Sequence, residues 1–428
     1  MKPKTRISIF ISSVILIISI LSLSSCLYLS TVTVESTRVN EMGEVIISYS
    51  DGSEVNIGIP GGGNETHYTI NTESDGVSHA ASRGICSAVS VSASFKINSY
   101  GGFFGGGTST GTSRGSGVIY KLDKSKGSAF IITNYHVVYN SNAKSNNGVS
   151  ESIEVFVYGS ESSEYAIPAR FIGGSMYYDI AVLYVESSEI MKRSSVSEVT
   201  VCPITDVSVG ETAIAVGNPE GAGISTTLGV VSVDSEQIEM YSLDGAGTVV
   251  SRVMRVDTAI NSGNSGGGLY NSKGELIGIV NAKISDSSVE NIGYAIPASI
   301  AIPVAENVID NCHEKENINL LRPMLGITLE SKNAGAVISP DTGLIVKSES
   351  VAVSQVGAGS LAAGKLISGD VITKIKIGEK EMNITRMHHV IDMMLNSRLG
   401  DTVEITVLRA GVEQKVTIEI TESALTKY

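Results

Sequence analysis

Residues 259–271 read "AINSGNSGGGLYN". A serine set among glycines admits two readings. It is a nucleophile presented on a tight turn, or it is a Gly/Ser-rich loop without chemistry. Composition cannot choose, because a second stretch, "GGFFGGGTSTGTSRGSG" at 101–117, is as rich in both residues. The choice rests on partners. A serine hydroxyl is a weak nucleophile near neutral pH, so it needs a general base and usually a carboxylate that orients that base.

The chain has six histidines. His67 and His79 fall in a polar, glycine-rich stretch at 60–82 that reads as linker. His313 lies in a polar connector, "CHEKENINLLRP", and His388 and His389 lie on a C-terminal helix, where they are expected at the surface. Only His136 stands in β-rich sequence, just past the apolar run of "AFIITNYHVV". The carboxylate candidate is Asp179 in "MYYDIAVLYV", directly ahead of an apolar strand. A buried aspartate needs a partner, and an imidazole Nδ1–H is a suitable one. Singly, each has an ordinary structural reading: a strand-end histidine and a strand-start aspartate. Together they run His136, Asp179, Ser265, with separations of 43 and 86 residues inside one β-rich unit.

That unit extends from about residue 85 to 311. Short runs rich in Val, Ile and Tyr ("GSGVIY", "AFIIT", "SIEVFVYG", "DIAVLYV", "TAIAVGN", "TLGVVSVD", "GELIGIVNAKI", "IGYAIP") alternate with Gly, Ser, Asn and Asp. Many short strands at this spacing predict a sandwich or barrels, and the length suits two barrels better than one. A helix is predicted near 303–311, with Pro303 in its first turn. Residues 324–422 have mixed α/β texture. Their helix, "TRMHHVIDMMLNSR", places Met387, Val390, Ile391, Met394 and Leu395 on one stripe, with Thr385 as N-cap. Near the N-terminus, "GEVIISYSDGSEVNIGI" predicts a hairpin about Asp51-Gly52.

Taken together, "SRGSGVIY", "TNYHVV", "DIAVL", "AIAVGNPEG", "TTLGVVSV", "VDTAINSGNSGG" and "NIGYAIP" resemble the HtrA/DegP-like serine proteases over about residues 84–422. The resemblance implies a mainly β fold: a chymotrypsin/trypsin-like double β-barrel followed by an α/β PDZ domain. It divides residues 84–422 into a protease domain at 84–312 and a PDZ domain at 323–422, after a signal peptide at 1–25 and a hairpin segment and linker at 26–83 that are read from the residues themselves. It implies Ser265 as nucleophile, His136 as general base and Asp179 as its orienting carboxylate. The oxyanion hole is expected at the N–H groups of Gly263 and Ser265, with Asn264 beside them. The substrate pocket is expected at Ala259, Ile260, Thr227, Leu228 and Gly229, within Thr226 to Val231, and at residues near Val280–Ala282. These are small or apolar, which predicts cleavage after small or medium aliphatic residues, with the nearby Asp257 structural. Gly268 departs from the family, which has Pro or Ala there. "PMLGITL" is similar to a PDZ carboxylate-binding loop, which assigns Leu325, Gly326 and Ile327 to the capture of peptide C-termini.

The formal net charge is −13, which repels phosphates and argues against nucleic-acid partners. "MKPKTR" followed by the apolar run Ile7 to Leu23 is an export signal. It ends in "LSSC", which resembles a bacterial lipobox with Cys26 as the lipidated residue. An uncleaved membrane anchor is the alternative. Both place the remaining chain outside the cytoplasm, attached to a membrane. Cys86, Cys202 and Cys312 then remain, an odd and widely spaced set that predicts free thiols rather than a disulfide framework or a zinc site. No cofactor is called for. The partners implied are unfolded or exported polypeptides, peptide C-termini and, through Phe103 and Phe104, a homotrimer. The alternative function is a non-proteolytic chaperone that keeps the protease fold.

Overall fold

The computed structural model describes residues 34–39, 45–49, 54–56, 76–99, 107–145, 147–160, 162–203, 207–282, 292–312, 321–339 and 343–427. Cys26 with the export signal, Asp51-Gly52, His67, Phe103, Phe104 and His313 lie outside them. Residues 1–74 and 75–428 are separate units. The first contains a three-stranded antiparallel sheet: β1 (Val34–Val39), β2 (Val45–Tyr49) and β3 (Glu54–Asn56), in that order. The β2–β3 pairing is the hairpin expected from sequence, and β1 is an added strand.

The second unit opens with α1 (Val77–Ser87), so the linker predicted to run to residue 82 gives way to helix earlier. The helix forms because Ala80, Gly84 and Ser87 share one buried face. Gly84 is required there: a Cβ would stand 2.8 Å from Val216 Cγ2 and 3.0 Å from the Tyr270 ring. Next come β4 (Ala88–Ser99), β5 (Gly107–Asp123), β6 (Ser128–Thr133), α2 (Tyr135–Val138), β7 (Ser152–Val157), β8 (Ile167–Ser175) and β9 (Ile180–Val185). The six strands close into a barrel in the order β4-β5-β6-β9-β8-β7. Strand β4 shows why: Val89, Val91, Ala93 and Phe95 alternate inward, the two-residue period of a strand covered on one face. The Gly/Ser-rich residues of β5 from Gly107 to Gly117 pair regularly with β4.

A second barrel follows, built from β10 (Thr212–Gly217), β11 (Ser225–Tyr241), β12 (Thr248–Val256), β13 (Gly268–Tyr270), β14 (Leu276–Val280) and β15 (Gly293–Pro297). It closes in the order β10-β11-β12-β15-β14-β13. Helix α3 (Ala298–Cys312) starts five residues before Pro303, which therefore sits inside the helix and not in its first turn. Burial of Ala298, Ile300, Ala301 and Ile302 between the barrels drives that early start. It costs the hydrogen bond a proline nitrogen cannot donate.

The C-terminal domain comprises β16 (Leu321–Pro323), β17 (Ile327–Ile338), β18 (Ile345–Val356), β19 (Val371–Ile377), β20 (Lys380–Asn383), α4 (Met387–Leu395), β21 (Thr402–Arg409), β22 (Val412–Glu419) and β23 (Leu425–Lys427). Its main sheet runs β17-β18-β19-β21-β22, which leaves β17 at an edge, and β16 pairs with β23. The N-cap of α4 is Arg386, not Thr385. Thr385 N instead donates to Nδ1 of His389, one turn on, at 3.2 Å. His389 is consequently buried, against the expectation of a surface residue, and Ile391 of the predicted core stripe is 47% exposed. Among the described residues no helix is long and apolar enough to cross a membrane. Cys86 and Cys202 are free thiols.

Candidate active site

The three candidate residues come from three elements facing the cleft between the barrels. His136 is the second residue of α2, one turn beyond the buried end of β6. Asp179 closes the turn between β8 and β9 with φ 52. Left-handed backbone is uncommon for a residue other than glycine, and Asp is one of the few types that adopt it. Here the conformation is held from several sides. The Asp179 carbonyl accepts from Asn134 Nδ2 at 2.9 Å and from Tyr135 N at 3.2 Å. Its carboxylate accepts His136 N on Oδ1 at 2.9 Å and His136 Nδ1 on Oδ2 at 2.6 Å. The second bond leaves His136 Nε2 as the basic nitrogen, which is the tautomer a general base requires.

A residue expected only in the neighbourhood of the pocket, with no tie to the triad foreseen, completes this end of the site. Asn281, on the strand end after β14 and 1% exposed, donates Nδ2 to Asp179 Oδ2 at 2.8 Å. The next residue donates Ala282 N to Ser265 Oγ at 3.1 Å. Two consecutive residues thus bridge the carboxylate and the nucleophile. Ser265 Oγ accepts from that amide and keeps its own proton to give. Among the described residues no hydrogen bond joins it to His136. Such contacts often tighten only when substrate is bound.

Ser265 is 5% exposed and stands on a turn bounded by two glycines in left-handed conformation, Gly263 at φ 95 and Gly266 at φ 85. A Cβ on Gly266 would lie 2.2 Å from Ser116 O and 2.3 Å from Thr133 Oγ1. Among the described residues the N–H groups of Gly263 and Ser265 have no acceptor, as donors awaiting an oxyanion must be. Asn264, expected beside them, differs. Its N–H donates back to Asn261 O at 3.0 Å, closing the turn.

The other Gly/Ser-rich stretch forms the support of this turn. Ser116 N donates to Ser265 O at 2.8 Å, and Ser116 Oγ donates to Gly263 O at 2.7 Å. The same hydroxyl accepts from Asn218 N at 2.8 Å, tying in the loop after β10. Gly268 also finds its reason. The Tyr270 ring lies about 2.5 Å from where a Cβ at position 268 would be, and its Oη is bonded to Ser87 Oγ of α1 at 2.8 Å. Any side chain at 268 would displace the tyrosine that pins α1 to the second barrel.

The expected pocket residues are only partly assembled. Thr227 Oγ1 donates to Ala259 O at 2.9 Å, and Ile260 packs over Gly293, where a Cβ would be 2.6 Å from Ile260 Cδ1. Gly229 leaves space for Asp257, whose Oδ1 accepts from Val230 N, so Asp257 is structural. Leu228 is a correction. Side chains alternate along a strand, so it points away from Thr227 and Gly229, and it is 56% exposed. Among the described residues no group of His, Cys, Asp and Glu side chains is placed to hold a metal ion.

Comparison with known proteins identifies two domains and a family. Residues 115–279 match the trypsin-like peptidase domain, and residues 323–420 match the PDZ domain. The serine protease Do-like HtrA of Lactococcus lactis subsp. cremoris is 30% identical over 385 residues, covering 84% of this chain and 85% of that protein. This chain belongs to the HtrA family of serine proteases. The HtrA of Lactococcus lactis subsp. lactis is 31% identical, covering 76% of this chain and 75% of its own, and that of Bacillus subtilis is 33% identical, covering 73% and 64%. Among solved structures, the HtrA-type protease AlgW with tripeptide aligns at a TM-score of 0.49 with 24% identity, covering 82% of this chain and 98% of that one. By its two domain matches and its HtrA relatives, the chain is a serine endopeptidase with a peptide-binding PDZ domain. In that domain Leu325 is buried and its carbonyl accepts from Ala362 N, Gly326 takes φ 71 with its carbonyl accepting from Gly357 N, and Ile327 opens edge strand β17. A Cβ at Gly326 would lie 2.3 Å from Ser360 Cβ, so the loop is backed closely by the 357–362 segment.

Proposed function

We propose that this HtrA-family endopeptidase works outside the cytoplasm, attached to the membrane through Cys26, and degrades unfolded or damaged exported proteins. In this reading Ser265 Oγ attacks the scissile carbonyl while His136 Nε2 takes its proton. The tetrahedral oxyanion binds the free N–H groups of Gly263 and Ser265. His136 returns the proton to the leaving amine, and water then hydrolyses the acyl-enzyme by the same route. Asp179 holds the imidazole in the required tautomer and stabilises the imidazolium. The observation that carries the reading is the buried carboxylate of Asp179, bonded at once to His136 Nδ1 and His136 N.

The small or apolar side chains of Ala259 and Ile260 favour small or medium aliphatic residues before the scissile bond. A substrate C-terminus enters beside β17, its carboxylate on the Leu325–Ile327 loop. Casein cleavage and fluorophosphonate labelling, compared between the intact protein and Ser265→Ala, test the mechanism. If the intact protein neither cleaves nor labels, the non-proteolytic chaperone reading replaces it. Metabolic labelling with radioactive palmitate, compared between the intact chain and Cys26→Ala, tests the attachment. Label that persists in Cys26→Ala, or is absent from both, refutes lipidation at Cys26.

A further inference from the structure

The turn that carries Asp179 is held from outside its own barrel. Residues 176–179 join β8 to β9. From the second barrel, Val250 O on β12 accepts from Tyr177 Oη at 3.3 Å. From the end of the connector that leads into the PDZ domain, Arg322 on β16 donates Nη1 to Tyr178 Oη at 3.0 Å. Its guanidinium also lies 5.1 Å from the centre of the Tyr177 ring. The two tyrosine rings meet edge to face at 4.9 Å, so one guanidinium grips both. A contact from within the PDZ domain lands close by. Asp392 of α4, 2% exposed, pairs with Arg252 of β12 at 2.5 Å. Arg252 shares the lining of one small cavity with Tyr178, Asp179 and Asn281.

We propose that Arg322 is a positioning residue for proteolysis: through Tyr177 and Tyr178 it holds the turn that presents Asp179, and so links the PDZ domain to the acid end of the triad. This rests on the assignment of His136, Asp179 and Ser265 above. The physical reason lies in the backbone. A left-handed aspartate persists only where its surroundings over-determine it, and Arg322 is a cationic, two-pronged contact on the two residues immediately before it. Arginine suits this role because its planar guanidinium stacks and donates at the same time. Strand β16 pairs with β23 near the C-terminus. A displacement of that pair thus reaches Asp179 without passing through the nucleophile turn.

The test uses the full chain with Arg322→Ala, Arg322→Lys, Tyr178→Phe and the Arg322→Ala/Tyr178→Phe double variant. Two readouts are followed: kcat and KM on a chromogenic peptide with an aliphatic residue before the scissile bond, and the downfield proton resonance of His136 Nδ1–H. Arg322→Ala is expected to lower kcat about tenfold with KM nearly unchanged, and to shift or broaden the resonance. Tyr178→Phe gives a smaller loss in the same direction. The double variant is no worse than Arg322→Ala, and Arg322→Lys recovers part of the rate. If Arg322→Ala does not fold, Tyr178→Phe, which keeps the ring, carries the same test. Unchanged kcat and resonance in the folded variants, a loss confined to KM, or additive losses overturn the proposal. Asp179→Asn separates the two levels. If it retains full activity, the triad assignment itself fails. If it is inactive while the Arg322 and Tyr178 variants match the unaltered protein, only the role of Arg322 falls.

Discussion

Residues 107–117 and residues 261–268 are drawn from nearly the same alphabet of glycine, serine and threonine or asparagine. The first stretch is regular strand, and none of its glycines has positive φ. The second is a turn, buried from Gly263 onward, in which Gly263 and Gly266 both do. The two also touch: Ser116 holds Ser265 O with its amide and Gly263 O with its hydroxyl. Glycine serves different ends in each. In the turn it permits a backbone conformation closed to other residues. In the strand it permits approach: a Cβ on Gly115 would lie 2.7 Å from Val137 and 3.0 Å from Ser265 O. Composition alone conceals this difference, because both needs are met by the same residue.

The comparison can be broken or sharpened by substitution. The largest effect is expected from Ser265→Ala, which removes the nucleophile and should lower peptidase activity on the order of 10⁴-fold or more. Casein digestion and loss of fluorophosphonate label report it. Next comes a matched pair of glycine changes. Gly266→Ala forces a methyl against Ser116 O in a left-handed turn, and should cost about 2–4 kcal/mol with loss of activity. Gly111→Ala meets only Ile97 Cδ1 at 3.3 Å in ordinary strand, and should change stability by less than about 1 kcal/mol. Urea melts of the two variants decide the matter, and equal losses would mean that the two stretches do not differ as described.

Ser116→Ala should have an intermediate effect. It leaves the buried amide of Asn218 and the Gly263 carbonyl without their shared partner, at about 1–3 kcal/mol. It should also lower kcat roughly tenfold to a hundredfold through the oxyanion turn. Affinity for a peptide boronate, which mimics the tetrahedral state, should fall in parallel with kcat. If it does not, Ser116 supports the fold alone. The smallest effect on activity lies away from both stretches and serves as a reference. Hydrogen bonds from Arg409 hold the Asp370 carboxyl below the usual carboxylate range. A lowered folded pKa adds stability above the unfolded value of about 3.9, and that stability is lost as the pH falls through the folded value. Thermal melts of Asp370→Asn between roughly pH 2 and 6 should therefore be less stable than the unaltered chain at the upper end and show a flatter acid limb. Peptidase assays at neutral pH should be unaffected.

Much of the site was legible because its chemistry is carried by rare residue types in an ordered frame. His136 was the single histidine in β-rich sequence, and Asp179 stood against an apolar strand where a charge needs a partner. Ser116 and Asn281 were not legible as partners of the triad. Each is a common polar residue, and their partners lie 147 and 102 positions away. Leu228 and Ile391 were misplaced for a related reason. Periodicity gives the alternation of faces but not which face the neighbouring element covers.

The family resemblance implied the two-barrel and PDZ architecture; the amino-acid sequence by itself determined the β-rich texture of residues 85–311, the order His136, Asp179, Ser265 and the glycines around that serine. These follow from local pattern, since side-chain period and backbone permissiveness are properties of short segments. Only the tertiary structure decided that the second Gly/Ser-rich stretch supports the nucleophile turn, that Asn281 completes the carboxylate and that Tyr270 excludes any side chain at position 268. Each is a contact between strands distant along the chain, and barrel closure is what sets their register and brings them within hydrogen-bonding or van der Waals range.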